Sequence, residues 1–185
     1  MKKISLFCMV YITALSCLAQ NKTFDLIEYV VPKNAPGKEW KEEKAGNITS
    51  YATTNKNAAS WCRIAIVKST TSKGNIDTDF ESEWQALVVK NYKPTNTAEL
   101  SEVEEADGWK IKTGSAKFRF NDQDAIAMLT SASGFERCVS IVVTTNSQDY
   151  LSEIQSFLES VKLKKNNNPP DKKQIVQTSS TTAQP

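Results

Sequence analysis

Apolar and polar residues alternate over much of the chain between residues 24 and 144, a pattern typical of β-strands with one buried face. Seven strands are predicted on this basis: 24–31, 48–54, 61–67, 109–113, 116–120, 125–131 and 137–144. Residues 40–44 predict an edge strand or a turn, and 98–105 an edge strand or a loop. Turns are predicted at Gly46-Asn47, Asp107-Gly108, 121–124 and Ser133-Gly134. We expect 48–54 and 61–68 to form a hairpin, and the last three strands to form an antiparallel meander.

Two segments instead repeat their apolar residues at helical spacing. The first predicts a helix from Thr78 to Asn91, with Thr78 and Glu81 as a capping box. The second predicts a helix that Asn146 or Ser147 caps. Its apolar face contains Tyr150, Leu151, Ile154, Phe157, Leu158 and Val161. Strands, helix, strands and helix follow one another in that order, which favours an α+β fold: an antiparallel β-sheet of about six to eight strands packed by two helices.

The two ends of the chain differ from this central domain. Lys2 and Lys3 precede an apolar run that is too short to span a bilayer, and small residues follow it. Residues 1–20 are therefore predicted to be a signal peptide for export, cleaved after Ala19 or after Gln20. Residues 21–163 form the single predicted domain. Residues 164–185 are polar and are predicted to be a disordered tail.

Cys17 leaves open a second kind of export, as a lipoprotein anchored to the membrane. Lipoprotein signals are cut just before a cysteine that then carries lipid, usually with Leu at the third position before the cut. Leu15 stands at the second position here and Ala14 at the third. A soluble periplasmic or secreted protein is the leading expectation, and a lipid-anchored protein is the alternative.

Cys62 and Cys138 are the cysteines outside the predicted signal. Exported proteins meet an oxidising compartment, and each of these cysteines lies near the start of an apolar strand. Neighbouring strands would bring the two sulfurs together, so a structural disulfide is predicted. Two buried thiols that merely pack in the core are the alternative.

Several segments of the chain resemble the PsbP-like α/β/α sandwich family over about residues 24–163. These are the first strand ending at Pro32, then Trp40, the helix with Phe80 and Trp84, the Gly108-Trp109 strand, and the last helix running into 160–163. The chain is also similar to small uncharacterised exported bacterial proteins at Trp61-Cys62, 80–84 and 145–150. The resemblance implies a non-catalytic binding or accessory role, and it carries no functional residues with it.

The chain contains no histidine, which removes the usual general base, the usual partner of a nucleophile and the commonest zinc ligand. The acidic series from Asn75 to Glu83 lacks the glycine and glutamate of a calcium loop, so helix capping explains it better. Glu102, Glu104, Glu105 and Asp107 are close neighbours in sequence, which favours a solvated stretch over a catalytic carboxylate pair. We expect no catalytic residues, cofactor or metal site.

Four aromatic residues are candidates for a binding surface: Trp40, Trp61, Trp109 and Tyr51. Packing in the core is the alternative for each. With 23 basic and 21 acidic residues, and no basic cluster in the folded part, nucleic-acid binding is not expected. The leading hypothesis is an exported, non-catalytic domain that binds an envelope protein or a small ligand. An extracellular enzyme using carboxylates or lysine is the alternative.

Overall fold

The computed structural model describes residues 20–34 and 39–165. The predicted signal peptide up to residue 19, Cys17 within it, and the tail from residue 166 lie outside the described residues. The strands are β1 (Asn21–Phe24), β2 (Ile27–Val30), β3 (Lys41–Ala45), β4 (Ile48–Asn55), β5 (Ser60–Thr71), β6 (Glu99–Leu100), β7 (Glu104–Ala106), β8 (Trp109–Phe120), β9 (Gln123–Gly134), β10 (Arg137–Thr145) and β11 (Lys162–Leu163).

Eight of these strands form one large antiparallel sheet in the order β3-β4-β5-β10-β9-β8-β6, with β7 also paired to β8. The remaining three form a small sheet in the order β1-β2-β11. The predicted β4–β5 hairpin and the β8–β9–β10 meander are both present. The α+β class and the antiparallel sheet of eight strands are thus confirmed, and the small second sheet is an addition that the alternation pattern did not indicate.

The first helical segment begins two residues earlier than predicted. It consists of α1 (Ile76–Glu83), a π-helical stretch (Trp84–Val89) and α2 (Lys90–Tyr92). The Asn75 side chain caps it by accepting a hydrogen bond from the Thr78 backbone N–H at 2.9 Å. The predicted capping box was therefore wrong, because the amide oxygen of Asn75 takes the role assigned to the Thr78 hydroxyl.

The last helix, α3 (Leu151–Ser160), follows a single 3₁₀ turn over Gln148–Tyr150. The Ser147 hydroxyl caps that turn by accepting from the Asp149 backbone N–H at 3.2 Å. Ser147 was one of the two predicted caps and is confirmed. The side chain of Asn146, the other candidate, instead bonds to β5 and to the β8–β9 hairpin.

The large sheet buries apolar side chains on both of its faces. On face A, which carries Ile64, Ile66 and Ile141, α3 and the small sheet complete the core with Tyr29 and Phe157. On face B, which carries Leu129 and Val142, the first helical segment completes the core with Phe80, Trp84 and Val88. A helix therefore covers each face, and the sheet lies between them.

Some predicted local structures differ in the fold. Residues 109–113 and 116–120 form one strand, β8, and only the first two residues of the predicted turn 121–124 turn, because Gln123 begins β9. Residues 24–31 are not one strand, because Asp25 adopts a left-handed φ of 54° and turns the chain from β1 into β2. Ser133 and Gly134 are not a turn but the end of β9, and Phe135 and Glu136 form the left-handed turn that follows. Gly134 is required in the strand because a Cβ there would lie 2.8 Å from the Gly108 carbonyl oxygen.

Candidate functional site

The structure does not bring Cys62 and Cys138 together. Strands β5 and β10 are antiparallel, so their starts lie at opposite ends: Cys62 is opposite Thr145, and Cys138 is opposite Thr70. Eight residues of extended chain separate the two positions by about 26 Å, whereas a disulfide needs Cα atoms within about 7 Å of each other. The predicted pairing does not fit this register and is corrected to two buried sulfurs at opposite ends of the strand pair.

Three of the four aromatic candidates lie in the core on face A. Trp40, Tyr51 and Trp109 are each less than a tenth exposed. The Tyr51 hydroxyl lies 3.1 Å from the Tyr29 hydroxyl, and burial raises the pKa of both phenols. These side chains therefore stabilise the fold and do not line a binding surface. Trp61 is the candidate that remains partly accessible.

Trp61 belongs to a group of four aromatic side chains on face B, which we call the aromatic surface: Trp61, Tyr92, Phe118 and Phe120. The Trp61 ring meets Phe120 edge to face with centroids 5.5 Å apart, and it meets Phe118 at 6.4 Å. Tyr92, from α2, lies 5.0 Å from Phe118. Phe118 is the buried floor, while Phe120 is 50 % exposed. The sequence analysis missed Phe120. The available signal was its position at the end of a strand, just before a polar turn, where a side chain can reach solvent.

Asn146 fixes the backbone beneath this surface. Its amide oxygen accepts from the Trp61 backbone N–H at 2.8 Å. Its amide nitrogen donates to the Ala59 carbonyl at 2.9 Å and to the Gln123 side chain at 2.7 Å. One side chain thus joins the start of β5, the end of β10 and the β8–β9 hairpin, so Trp61 and Phe120 are held in a fixed relation before any partner arrives.

A second group of polar side chains lies under α1, on the same face but at the other end of the sheet. Asp79 is buried, and its carboxylate accepts from the Ser72 hydroxyl at 2.6 Å, the Ser133 hydroxyl at 2.5 Å and the Lys73 backbone N–H at 2.5 Å. The sequence analysis assigned Asp79 only to helix capping, as one of the acidic residues between Asn75 and Glu83. Three donors occupy its oxygens, which favours a role as an anchor over one as a general base.

Glu83 follows Asp79 by one helical turn and accepts from the Thr70 hydroxyl at 3.1 Å. Burial raises the pKa of this carboxyl, and the negative charge of Asp79 raises it further, against the hydrogen bond from Thr70 and the charge of Lys73. Both carboxylates come from one helix and face the sheet. They are not a convergent pair from opposite walls of a cleft, which is the arrangement that glycoside chemistry requires.

An open cleft of about 620 Å³ adjoins Ser72 and Ser133. Its walls are the loop before α1, the turn at Gly108 and the β9–β10 hairpin with Phe135.

Within residues 20–34 and 39–165, no group of three or more His, Cys, Asp or Glu side chains could hold a metal ion. The acidic stretch from Glu102 to Asp107 is exposed throughout, as a solvated segment would be.

No model of a known protein family matches this chain, and no curated protein matches its sequence. Among the described residues, none of the helices is long and apolar enough to cross a membrane.

Proposed function

We propose that this protein is an exported, non-catalytic binding or accessory domain of the bacterial cell envelope, and that it contacts its partner through the aromatic surface. The observation that carries the proposal is the Trp61–Phe120 pair. The Phe120 ring is half exposed, the Trp61 ring also contacts the buried Phe118, and the strand that carries Trp61 is held by Asn146.

Aromatic side chains of this kind are well suited to recognition. A preformed aromatic pair offers a large apolar area, and little further side-chain ordering is needed when a partner binds. Trp and Tyr are also the residues that most often dominate the binding energy of protein interfaces. A protein partner in the envelope is accordingly the occupant we favour. The three hydrogen bonds of Asp79 support the non-catalytic assignment, because both oxygens of its buried carboxylate already accept from donors of the fold.

The arrangement of the helices supports the finer assignment to a PsbP-like sandwich. The first helical segment packs on face B, while α3 and the small sheet pack on face A. This layering agrees with the α/β/α order that the resemblance implies. Proteins of that family serve as accessory domains, which is the role proposed here.

The proposal of export rests on the sequence of residues 1–20, and the fold adds one observation about the cleavage site of the signal peptide. The Val31 backbone N–H donates to the Gln20 carbonyl at 3.0 Å, next to the β1–β2 hairpin. Cleavage after Ala19 keeps this bond within the mature chain, whereas cleavage after Gln20 removes it. We therefore propose Gln20 as the mature first residue of a soluble protein. The mass of the mature N-terminus tests this: a chain beginning with an acylated Cys17 would establish the lipid-anchored alternative.

The aromatic surface is tested by crosslinking in the native envelope. A photoactivatable phenylalanine at position 120 should give a discrete crosslinked species. The same group at position 135, an exposed aromatic at the opposite end of the sheet, is the matched control and should not. Adding Trp61→Ala to the first variant should abolish the product while the circular dichroism spectrum stays unchanged. Equal crosslinking from both positions, or a product insensitive to Trp61→Ala, would refute the proposal.

A further inference from the structure

The open cleft of about 620 Å³ beside Ser72 and Ser133 lies at the opposite end of the sheet from the aromatic surface. The β9–β10 turn with Phe135 forms one wall, and the loop before α1 forms another. The Ser72 backbone N–H joins these two walls by donating to the Glu136 carbonyl at 3.0 Å. The cleft therefore has walls that the fold fixes, and its volume is in the range of sites for small organic ligands.

The turn at residues 135–136 has an unusual sequence for its conformation. Phe135 and Glu136 both have left-handed φ angles, of 50° and 61°. Two other hairpin turns of the large sheet have the same pair of left-handed residues, and they use Asp107-Gly108 and Asn121-Asp122, which favour this conformation. A bulky aromatic residue is strained at a positive φ, and such strain is typical of positions where the side chain has a function.

The Phe135 ring gives the cleft an aromatic wall. It meets Trp109 edge to face with centroids 5.5 Å apart, which fixes its position, and it remains 37 % exposed. The Lys165 ammonium lies 5.5 Å from the ring centre, and an exposed contact of this kind is weak enough for a ligand to displace it. An aromatic ring in such a position can pack against the C–H groups on one face of a pyranose sugar.

The floor of the cleft accepts hydrogen bonds and does not donate them. The Ser72 and Ser133 hydroxyls both donate their protons to the same oxygen of the buried Asp79 carboxylate, at 2.6 Å and 2.5 Å. The Ser133 oxygen therefore offers a lone pair, and not a proton, to a ligand. The exposed carboxylates of Asp77 and Glu136 line the same cleft and are acceptors as well. A ligand that fits must present several O–H or N–H donors.

The charges around the cleft favour a neutral ligand. Asp77 pairs with Lys112 at 2.6 Å, so its charge is already balanced. Lys110 lines the cleft together with Glu136, and these two charges balance each other. Neither an anion nor a cation is therefore selected by charge. A neutral molecule with many hydroxyl groups and one apolar face meets all of these conditions.

We propose that this cleft binds a neutral saccharide. A pyranose ring packs against Phe135, and its hydroxyl groups donate to Ser133, Asp77 and Glu136, while Lys110 donates to a ring or hydroxyl oxygen. The inference goes beyond the proposed function and does not depend on the aromatic surface, which lies at the other end of the sheet.

Backbone-amide NMR of the mature chain tests the site with two disaccharides, N,N′-diacetylchitobiose and maltose. We expect at least one of them, at up to about 20 mM, to shift the amides of Gly74, Gly108 and Gly134 in the cleft. Phe135→Leu keeps an apolar side chain over Gly108 and should weaken this binding about fivefold or more. Phe120→Leu is the matched control, since it removes an exposed aromatic ring far from the cleft and should leave the affinity unchanged.

Asp77→Ala is a second variant that does not depend on the strained turn. The Asp77 side chain is 67 % exposed, so its removal should leave the amide spectrum outside the cleft unchanged. Because the variant lacks one of the acceptors for the sugar hydroxyls, we expect it also to weaken disaccharide binding several-fold, about threefold or more.

Four results would overturn the proposal. No shift of the cleft amides with either disaccharide would show that the cleft binds no such ligand. Equal affinities of the wild type, Phe135→Leu and Asp77→Ala would show that these side chains make no contact with the sugar. Shifts that Phe120→Leu abolishes would assign sugar binding to the aromatic surface. Tighter binding of putrescine than of either disaccharide would make the cleft a site for amines.

Discussion

The Asp79 carboxylate accepts a hydrogen bond from the Ser133 hydroxyl at 2.5 Å, and this contact joins α1 to the end of β9. The same carboxylate holds the loop before the helix through Ser72 and the Lys73 backbone N–H. Removing one acceptor should therefore leave a buried donor unpaired. We expect Asp79→Asn to lower the free energy of unfolding by about 1–3 kcal/mol, measured by urea denaturation.

Asp77→Asn is the matched control for that variant. Asp77 lies on the same helix, but its side chain is 67 % exposed and pairs with Lys112, whose side chain is 16 % exposed. Because water solvates the Asp77 carboxylate, this ion pair contributes little, and the control should change stability by less than about 1 kcal/mol. Equal effects of the two substitutions would show that Asp79 is not an anchor.

Glu83 should make stability depend on pH in a defined direction. Its pKa is raised in the folded protein above the ordinary value of 4.5, chiefly by burial. The folded state therefore holds the proton more tightly than the unfolded chain, and stability falls as the pH rises from about 4.5 through the folded pKa. Glu83→Gln removes this loss. The melting temperature of the variant minus that of the wild type should increase between pH 4 and pH 7.

The control for this titration is Glu81→Gln, which removes one carboxylate from an exposed position on the same helix. It accounts for the general effect of losing a charge near Asp77 and Asp79. A melting-temperature difference for Glu83→Gln that follows the control at every pH would contradict the prediction.

Truncating Phe118 and truncating Phe120 should have different effects on stability and on partner binding. Phe118 is 2 % exposed, and its truncation to Ala should cost about 3–5 kcal/mol of unfolding free energy. Phe120 is 50 % exposed, and its truncation should cost less than about 1 kcal/mol while weakening partner binding. Denaturation curves measure the effect on stability, and the envelope crosslink from a photoactivatable phenylalanine placed instead at Tyr92 of the aromatic surface measures the effect on binding. A large loss of stability in Phe120→Ala would assign that ring to the core.

Gly114 lies on face B where the sheet meets α1. A Cβ at this position would lie 2.6 Å from the Phe80 ring and 2.9 Å from a Leu100 methyl carbon. Gly114→Ala should therefore overpack this contact and cost about 1–3 kcal/mol. Ser115→Ala, on the opposite face of the same strand, should change stability by less than about 0.5 kcal/mol in the same urea titration.

Burial, together with the negative charges of Glu83 and Asp79, raises the pKa of the Cys138 thiol to about 12. Little thiolate is present at neutral pH, and the sulfur is shielded from solvent. We expect Cys138 to resist iodoacetamide in the folded protein and to react after unfolding in urea, as peptide mass spectrometry can measure. A Cys62–Cys138 linked peptide from non-reduced digests would contradict the strand register itself.

The fold class could be read from the sequence because it depends on local periodicity. Strand alternation in 48–54 and 61–67, and the apolar face that includes Ile154 and Phe157, each follow from where one element must bury its side chains. The turn at Gly46-Asn47 and the turn after β8 were recognisable because Gly, Asn and Asp favour turns, although the second turn takes up only Asn121 and Asp122 of the predicted 121–124. By contrast, the cap at Asn75 was missed because Thr78 and Glu81 match the capping-box pattern in sequence. Only the hydrogen bond that the Thr78 backbone N–H donates to the Asn75 side chain shows that Asn75, and not Thr78, caps the helix.

Strand order and orientation were decided only by the tertiary structure. The antiparallel pairing of β5 and β10 separates Cys62 from Cys138, although both stand near the start of a strand. The assembly of the two faces also decides that Trp109 is buried while Trp61 meets Phe120 at the surface. Burial depends on which residues, distant in sequence, come to lie over a side chain, and the alternation of one strand carries no information about that.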